Sequence, residues 1–262
     1  EPKKHVEEEE KEEEKEKELG PVAQAIVAAR ASDAVFRPRI LVQKFGGTCL
    51  KDEESAQRVC DIVLDHAENY DLVVPVFSAV SGASKAAGTS SLIMESLAAA
   101  SQNKFYGHLL HSIELLNIGD PLYTSNAVHD TLGRLCKRAR INGLVNDYVL
   151  DKGLKQGENM AVRGVLKRLS GRGAFLCGEY WRDLFNESES FDQDTAIERV
   201  QDLFCKRLQQ NFNGCTSTPI WVCSGHIGMV NGGILKAVGR GYTDYTATLI
   251  AEAIGADELQ IW

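Results

Sequence analysis

The tightest constraint on the fold is a set of short apolar runs, each stopping at glycine or small residues and followed by a helix-spaced segment. RILVQKF at 39–45 meets Gly46-Gly47, and DLVVPVF at 71–77 meets SAVSG. Continuous apolar runs of this length, bounded by turn residues, suit strands buried on both faces. The segment 48–70 carries Ala56, Val59, Ile62 and Val63 at helical spacing, with acidic residues near its start. Further strands are expected at 174–177, 219–224 and 258–262. Helices are expected at 158–171, 195–210 and 243–255, two or three more within 92–148, and a hairpin over 226–239 turning at Asn231-Gly232. Strands alternating with helices predict an α/β fold with a mainly parallel sheet. Such sheets bind ligands at the C-terminal strand ends, where helix N-termini gather.

Composition narrows the function. The formal charge is −8, but the first nineteen residues hold ten Glu against five Lys, which leaves −3 on everything else. A nucleic-acid binder shows a basic excess, so nucleic acid is not an expected partner. No apolar run reaches the roughly 18 to 20 residues that span a bilayer, so no membrane partner is expected either. Seven cysteines (49, 60, 136, 177, 205, 215 and 223) are scattered without a CxxC pair, which reads as reduced thiols in a cytoplasmic protein. Residues 1–38 read as a charged low-complexity tail and linker, and 39–262 as the folded domain. With Glu1 at one edge and the strand-like ELQIW at the other, the chain is expected to be a piece of a longer polypeptide.

Three loops suit an anion. In KFGGT, Lys44 supplies a charge, while Gly46 and Gly47 let main-chain N–H groups approach a ligand; a tight strand–helix turn explains the glycines equally well. The loop FSAVSGASKAAGTSS at 77–91 contains Ser81, Gly82 and Lys85, lacks the GK[ST] ending of a P-loop, and reads first as a flexible polar loop. In LKAVGRGYTDYTA at 235–247, Arg240 lies between Gly239 and Gly241, free to fork onto a carboxylate or phosphate, and Asp244 could instead cap the next helix. Glu158 follows Gly157 in LKQGENMAVR, where a charge favoured by a helix dipole is the default reading. His108, His111 and Glu114 have metal-like spacing but lie on an amphipathic helix, so no metal site is expected.

Together and in this order, K-F-G-G-T, S-A-V-S-G, Q-G-E-N-M and G-R-G-Y-T-D-Y-T-A with A-D-E-L-Q-I-W resemble aspartate kinase, in the amino-acid kinase superfamily, over residues 40–262. Tyr242 and the KAAGTSS stretch resemble its fungal branch. The resemblance implies a three-layer α/β/α fold of the carbamate-kinase type, incomplete at its C-terminal side. It implies that ATP, with Mg²⁺, phosphorylates the side-chain carboxylate of L-aspartate, the first step of lysine, threonine and methionine synthesis. A homo-oligomer is expected for the full-length parent. By similarity Lys44 and Asp244 are catalytic, and Thr48, Glu158 and Arg240 bind the substrate. Lys44, Gly46, Gly47, Ser81, Gly82, Gly241 and Thr243 would hold phosphate or nucleotide.

Two departures stand out. Cys49 replaces the usual Ser after KFGGT, and a thiol is a weaker hydrogen-bond donor than a hydroxyl. Ser224-Gly225-His226-Ile227-Gly228 replaces a commoner G-F-x-G stretch. The family continues beyond the position of Trp262 with nucleotide-binding and regulatory parts, so this chain alone is expected to bind ATP poorly. A rival reading is a catalytically incompetent fragment or pseudokinase serving as a binding or assembly module.

Overall fold

The structure, a computed structural model, describes residues 38–82, 84, 87–117, 121–175, 192–211, 220–228 and 231–262. The Glu/Lys segment and its linker at 1–37, Lys85, Cys177 and Cys215 lie outside these. The chain starts with β1 (Ile40–Phe45), a 3₁₀ turn at Gly47–Leu50, α1 (Glu53–Ala67) and β2 (Leu72–Phe77). A helical block follows: α2 (Thr89–Ser101), α3 (Gly107–Leu116), α4 (Pro121–Asn126), a π-helical stretch at Ala127–Leu132, α5 (Gly133–Asn142) and α6 (Asp147–Arg168). Then come β3 (Gly173–Phe175), α7 (Gln193–Asn211), β4 (Ile220–Ser224), the short α8 (Ile234–Ala237), α9 (Tyr242–Ile254) and β5 (Glu258–Ile261).

The five strands pair in the order β3-β4-β2-β1-β5, and every pairing is parallel. Strand alternation divides the core between the two faces. Ile40, Val42, Val74, Val76, Trp221 and Cys223 pack with α7 and α9 residues such as Phe204, Ala247 and Ile250. Leu41, Phe45, Val73, Phe77, Ile220 and Val222 pack instead with Ala56 and Val63 of α1 and Val162 and Val165 of α6. A third cluster, built from α2, α3, the π stretch, α5 and α6 as far as Met160, forms a helical lobe beside the sheet. Pro75 stands inside central β2 without an amide hydrogen to donate, and the β2–β4 register runs from Val73↔Ile220 to Val76↔Cys223 across that gap. Cys49, Cys60, Cys136 and Cys223 are unpaired thiols. No described helix is long and apolar enough to cross a membrane.

Three local expectations need correction. The segment 226–239 holds no strand among its described residues: Gly232 and Gly233 adopt positive φ of 81° and 83°, and the chain coils into α8. The buried carboxylate of Asp151 accepts the Ile234 N–H and so caps that turn. Helix α1 does not begin behind Gly47 either. It begins at Glu53, capped by Asp52 accepting from the Ser55 N–H at 2.8 Å, and a 3₁₀ turn fills the space. Finally, α6 starts at Asp147, capped by Asn146 accepting from the Val149 N–H at 2.9 Å, so Glu158 lies mid-helix, away from the dipole's positive end.

Candidate active site

The loops after β1 and β2 are held together at Gly47. A Cβ there would fall 2.2 Å from the Ala79 carbonyl oxygen and 2.9 Å from the Ser81 nitrogen. The Ser81 N–H donates to the Gly47 carbonyl at 3.0 Å, so glycine is required for close approach between two backbones. Gly82 packs on Ala87, where an added Cβ would sit 2.4 Å from a carbonyl oxygen, and it closes its own loop rather than facing the cavity.

Lys44, near the C-terminal end of β1, places its Nζ 2.7 Å from Asp244 Oδ1, with the lysine side chain 13% exposed and the aspartate 51%. Asp244 lies in the first turn of α9 but does not cap it; the N-cap is Gly241, without a side-chain cap bond. Added Cβ atoms show what stands beside this pair. One at Gly46 would lie 3.6 Å from Lys44 Nζ and 3.8 Å from Thr48 Oγ1, and one at Gly241 would lie 3.8 Å from Asp244 Oδ2.

Next to the pair is a cavity of about 230 Å³ lined by Gly47, Ser81, Thr89, Glu158, Arg240 and Thr243, among others. Glu158 is 1% exposed. Its carboxylate accepts from Thr243 Oγ1 at 3.3 Å and from the His226 N–H. Burial pushes its pKa up to about 8, against the pull of the His226 and Thr243 hydrogen bonds toward the ionised form. Arg240 is exposed and makes no ion pair among the described residues. His226 is fully buried, its pKa pushed down to about 3 by burial, and its Nδ1 accepts from the Gly228 N–H at 3.3 Å. A neutral ring so hard to protonate is a poor general base.

Five of the residues singled out from sequence thus line one cavity: Gly47, Ser81, Glu158, Arg240 and Thr243. Lys44 and Asp244 pair beside it, with Gly46, Thr48 and Gly241 around them, and Gly82 stands apart. Sequence reasoning missed Tyr242, which lines the cavity with Glu158, and missed Thr89, whose buried hydroxyl has no hydrogen-bond partner among the described residues. The sequence signal for Thr89 was its place where a small-residue loop opens a helix. Among the described residues no cluster of three or more His, Cys, Asp or Glu side chains is placed to hold a metal. His111 and His129 lie 3.9 and 3.7 Å from one Glu114 oxygen, while His108 stacks on Phe105 instead.

Comparison with known proteins finds similar chains. The model of the amino acid kinase family matches residues 184–262. The aspartokinase of Saccharomyces cerevisiae is 30% identical over 245 residues, covering 85% of this chain and 45% of that protein. The aspartokinase of Candida albicans is 29% identical over 239 residues, covering 85% of this chain and 44% of its own length. The chain therefore spans about half the length of the curated relatives it matches. Among solved structures, Escherichia coli aspartokinase III in complex with aspartate and ADP superposes with a TM-score of 0.58 at 25% identity, over 86% of this chain and 49% of that one. A family model matched over residues 184–262, two fungal aspartokinases aligned along most of the sequence and a shared sheet make this chain similar to the aspartokinases, which is the likeness the amino acid kinase match also carries.

Proposed function

We propose that this chain is the aspartate-binding and phosphoryl-handling part of an aspartate kinase, which transfers the γ-phosphoryl group of ATP to the side-chain carboxylate of L-aspartate and forms 4-phospho-L-aspartate. On the family resemblance it works in the cytoplasm, its full-length parent as a homo-oligomer, at the first step of lysine, threonine and methionine synthesis. The observation that carries the reading is one small cavity offering a guanidinium and a buried carboxylate, with a lysine–aspartate pair at its side. An acidic amino acid needs both kinds of group. Arg240 suits a carboxylate through its planar fork, and Glu158 suits an ammonium, whose charge favours the ionised form that burial alone disfavours.

The chemistry fits the groups present. An aspartate side chain free in water loses its proton at about pH 3.9 and is already ionised at neutral pH, so the nucleophile needs no base. The obstacle is repulsion: two like charges 4 Å apart cost about 4 kcal/mol at an effective dielectric near 20, and a triphosphate carries several. Lys44 would offset charge on the transferring group, and Asp244 would hold the lysine in place. Main-chain N–H groups near Gly46, Gly47 and Ser81, with Gly241 and Thr243, would support the phosphates, and Thr48 and Thr89 would offer hydroxyls. The described residues build no cage for Mg²⁺, so the ion would arrive with the triphosphate, as Mg²⁺ commonly does.

A second reading is a binding or assembly module without turnover. The cavity volume favours it: about 230 Å³ lies below the roughly 300–1,000 Å³ of pockets for larger ligands, and suits an amino acid better than a nucleotide. One experiment separates the two. Titration calorimetry with L-aspartate and with MgATP is paired with a coupled phosphoryl-transfer assay across aspartate, glutamate and UMP. The kinase reading expects aspartate alone to be phosphorylated, with Lys44→Ala, Arg240→Ala and Asp244→Ala each losing on the order of 100-fold or more in kcat/KM. Aspartate binding without transfer supports the module, and undiminished turnover in all three variants rejects the site.

A further inference from the structure

Arg240 and Glu158 reach the same cavity from different segments, and one buried carboxylate ties those segments together. Asp151 lies on α6, two turns before Glu158 and one turn before Leu154, which also lines the cavity. It is 2% exposed. Its two oxygens accept the Ile234 N–H at 3.2 and 3.1 Å. Ile234 is fully buried and is the first residue of α8, and Gly233 before it has no side chain to cap the turn. The first amide of a helix finds no partner inside that helix. Asp151 supplies one from another element.

The connection continues to Arg240. The Ile234 carbonyl accepts from the Val238 N–H at 2.9 Å and from the Gly239 N–H at 3.3 Å. Gly239 directly precedes Arg240. Hydrogen bonds that meet at one residue, Ile234, thus lead from α6 to the neighbour of Arg240. Leu235, the residue after Ile234, lines the cavity too. A second tie between the segments is the Lys236–Asp147 ion pair at 3.2 Å, but its side chains are 74% and 45% exposed, and exposed pairs hold little.

A cap alone does not need a buried acid. An amide or a hydroxyl serves at a helix start, whereas burial pushes the Asp151 pKa up to about 6 against the pull of the Ile234 N–H. What the carboxylate adds is strength, because an ionised acceptor makes the firmer hydrogen bond. We propose that Asp151 is a positioning residue: through the Ile234 N–H it fixes the segment that carries Arg240 against α6, and so sets where the guanidinium stands relative to the Glu158 carboxylate. This rests on the reading of Arg240 as the partner of the ligand's carboxylate.

The test is a double-mutant cycle in the full chain, read by calorimetry with L-aspartate. Asp151→Leu keeps the branched shape and removes both acceptors, while Asp151→Asn keeps one. Hydrogen exchange at the Ile234 amide should be slow in the wild type and in Asp151→Asn, and faster on the order of tenfold in Asp151→Leu, as expected for loss of a bond to a charged acceptor. L-Aspartate binding should weaken on the order of tenfold in Asp151→Leu and by less than about threefold in Asp151→Asn. In an Arg240→Ala background, Asp151→Leu should weaken it by less than about twofold more, because residues that act through one contact do not add. Where Asp151→Leu fails to fold, Asp151→Ala takes its place, with room for a water on the Ile234 N–H. An Ile234 amide that exchanges freely in the wild type overturns the inference. Undiminished aspartate binding in Asp151→Leu overturns it, as does Asp151→Asn binding no better than Asp151→Leu. An equal loss with and without Arg240 also overturns it, since that marks a role in the fold alone. Unchanged binding in Arg240→Ala removes the reading of Arg240, and the inference with it.

Discussion

Glu158 is folded in the protonation state that water does not favour, and this has a measurable cost. Its pKa rises from 4.5 to about 8, so between those values the folded protein keeps a proton that the unfolded chain has released. Stability from this residue is therefore full below pH 4.5 and is lost as pH rises through 8. Asp151, raised from 3.8 to about 6 by burial, acts in the same direction at lower pH. His226, lowered from 6.5 to about 3, acts in the opposite direction, because below 6.5 it is the unfolded chain that gains the proton. Between pH 6.5 and 8 Glu158 stands alone among these three. We expect the melting temperature of the wild-type chain to fall across that window and the Glu158→Gln profile to be flat there; parallel profiles in scanning calorimetry would show that Glu158 is solvated. Little of this was legible in the sequence. A glutamate after a glycine resembles the opening of a helix, and neither its burial nor the donors from His226 and Thr243 can be read from spacing, since they lie 68 and 85 residues away.

Elements were legible where a short apolar run or a clear helical spacing was present. The strands β1, β2, β4 and β5 and the helices α7 and α9 lie close to where the apolar runs placed them. The misplaced boundaries share one cause, a side chain that satisfies a backbone group from an unmarked position. Asn146 caps α6 so that it starts at Asp147, eleven residues before the expected start at 158, and Gly153 and Gly157 look like breaks although they serve packing. A Cβ at Gly153 would lie 2.8 Å from Ile93 Cγ2, and one at Gly157 would lie 3.0 Å from Ile93 Cδ1. Asn146→Ala should cost about 1 kcal/mol in urea unfolding, the worth of an N-cap. Gly47→Ala is a different kind of change, because the methyl would meet backbone rather than a movable side chain. It should destabilise the protein by roughly 2–4 kcal/mol and weaken aspartate binding together with stability. A Gly47→Ala protein that melts normally would mean that the loops after β1 and β2 do not touch as described.

The molecule is a parallel sheet with a core on each face and a helical lobe that has its own apolar cluster. On the α7–α9 face the main anchor is Phe204, fully buried with its ring 5.5 Å from Trp221. Phe204→Ala should cost about 3–5 kcal/mol, read as a lower midpoint in denaturant. A loss below about 1 kcal/mol would place α7 off the sheet. The lobe depends on one long element in a way the other helices do not. Helix α6 has 22 residues; Val149 and Met160 belong to the lobe, while Val162 and Val165 lie under the sheet. Glu158 lies just before the changeover between Met160 and Ala161, and it lines the cavity. Anyone building chimeras from two homologues would find no neutral crossover point inside α6. A graft of the lobe that stops short of Glu158 splits one helix between two parents, and a graft that includes it carries part of the donor's cavity wall along.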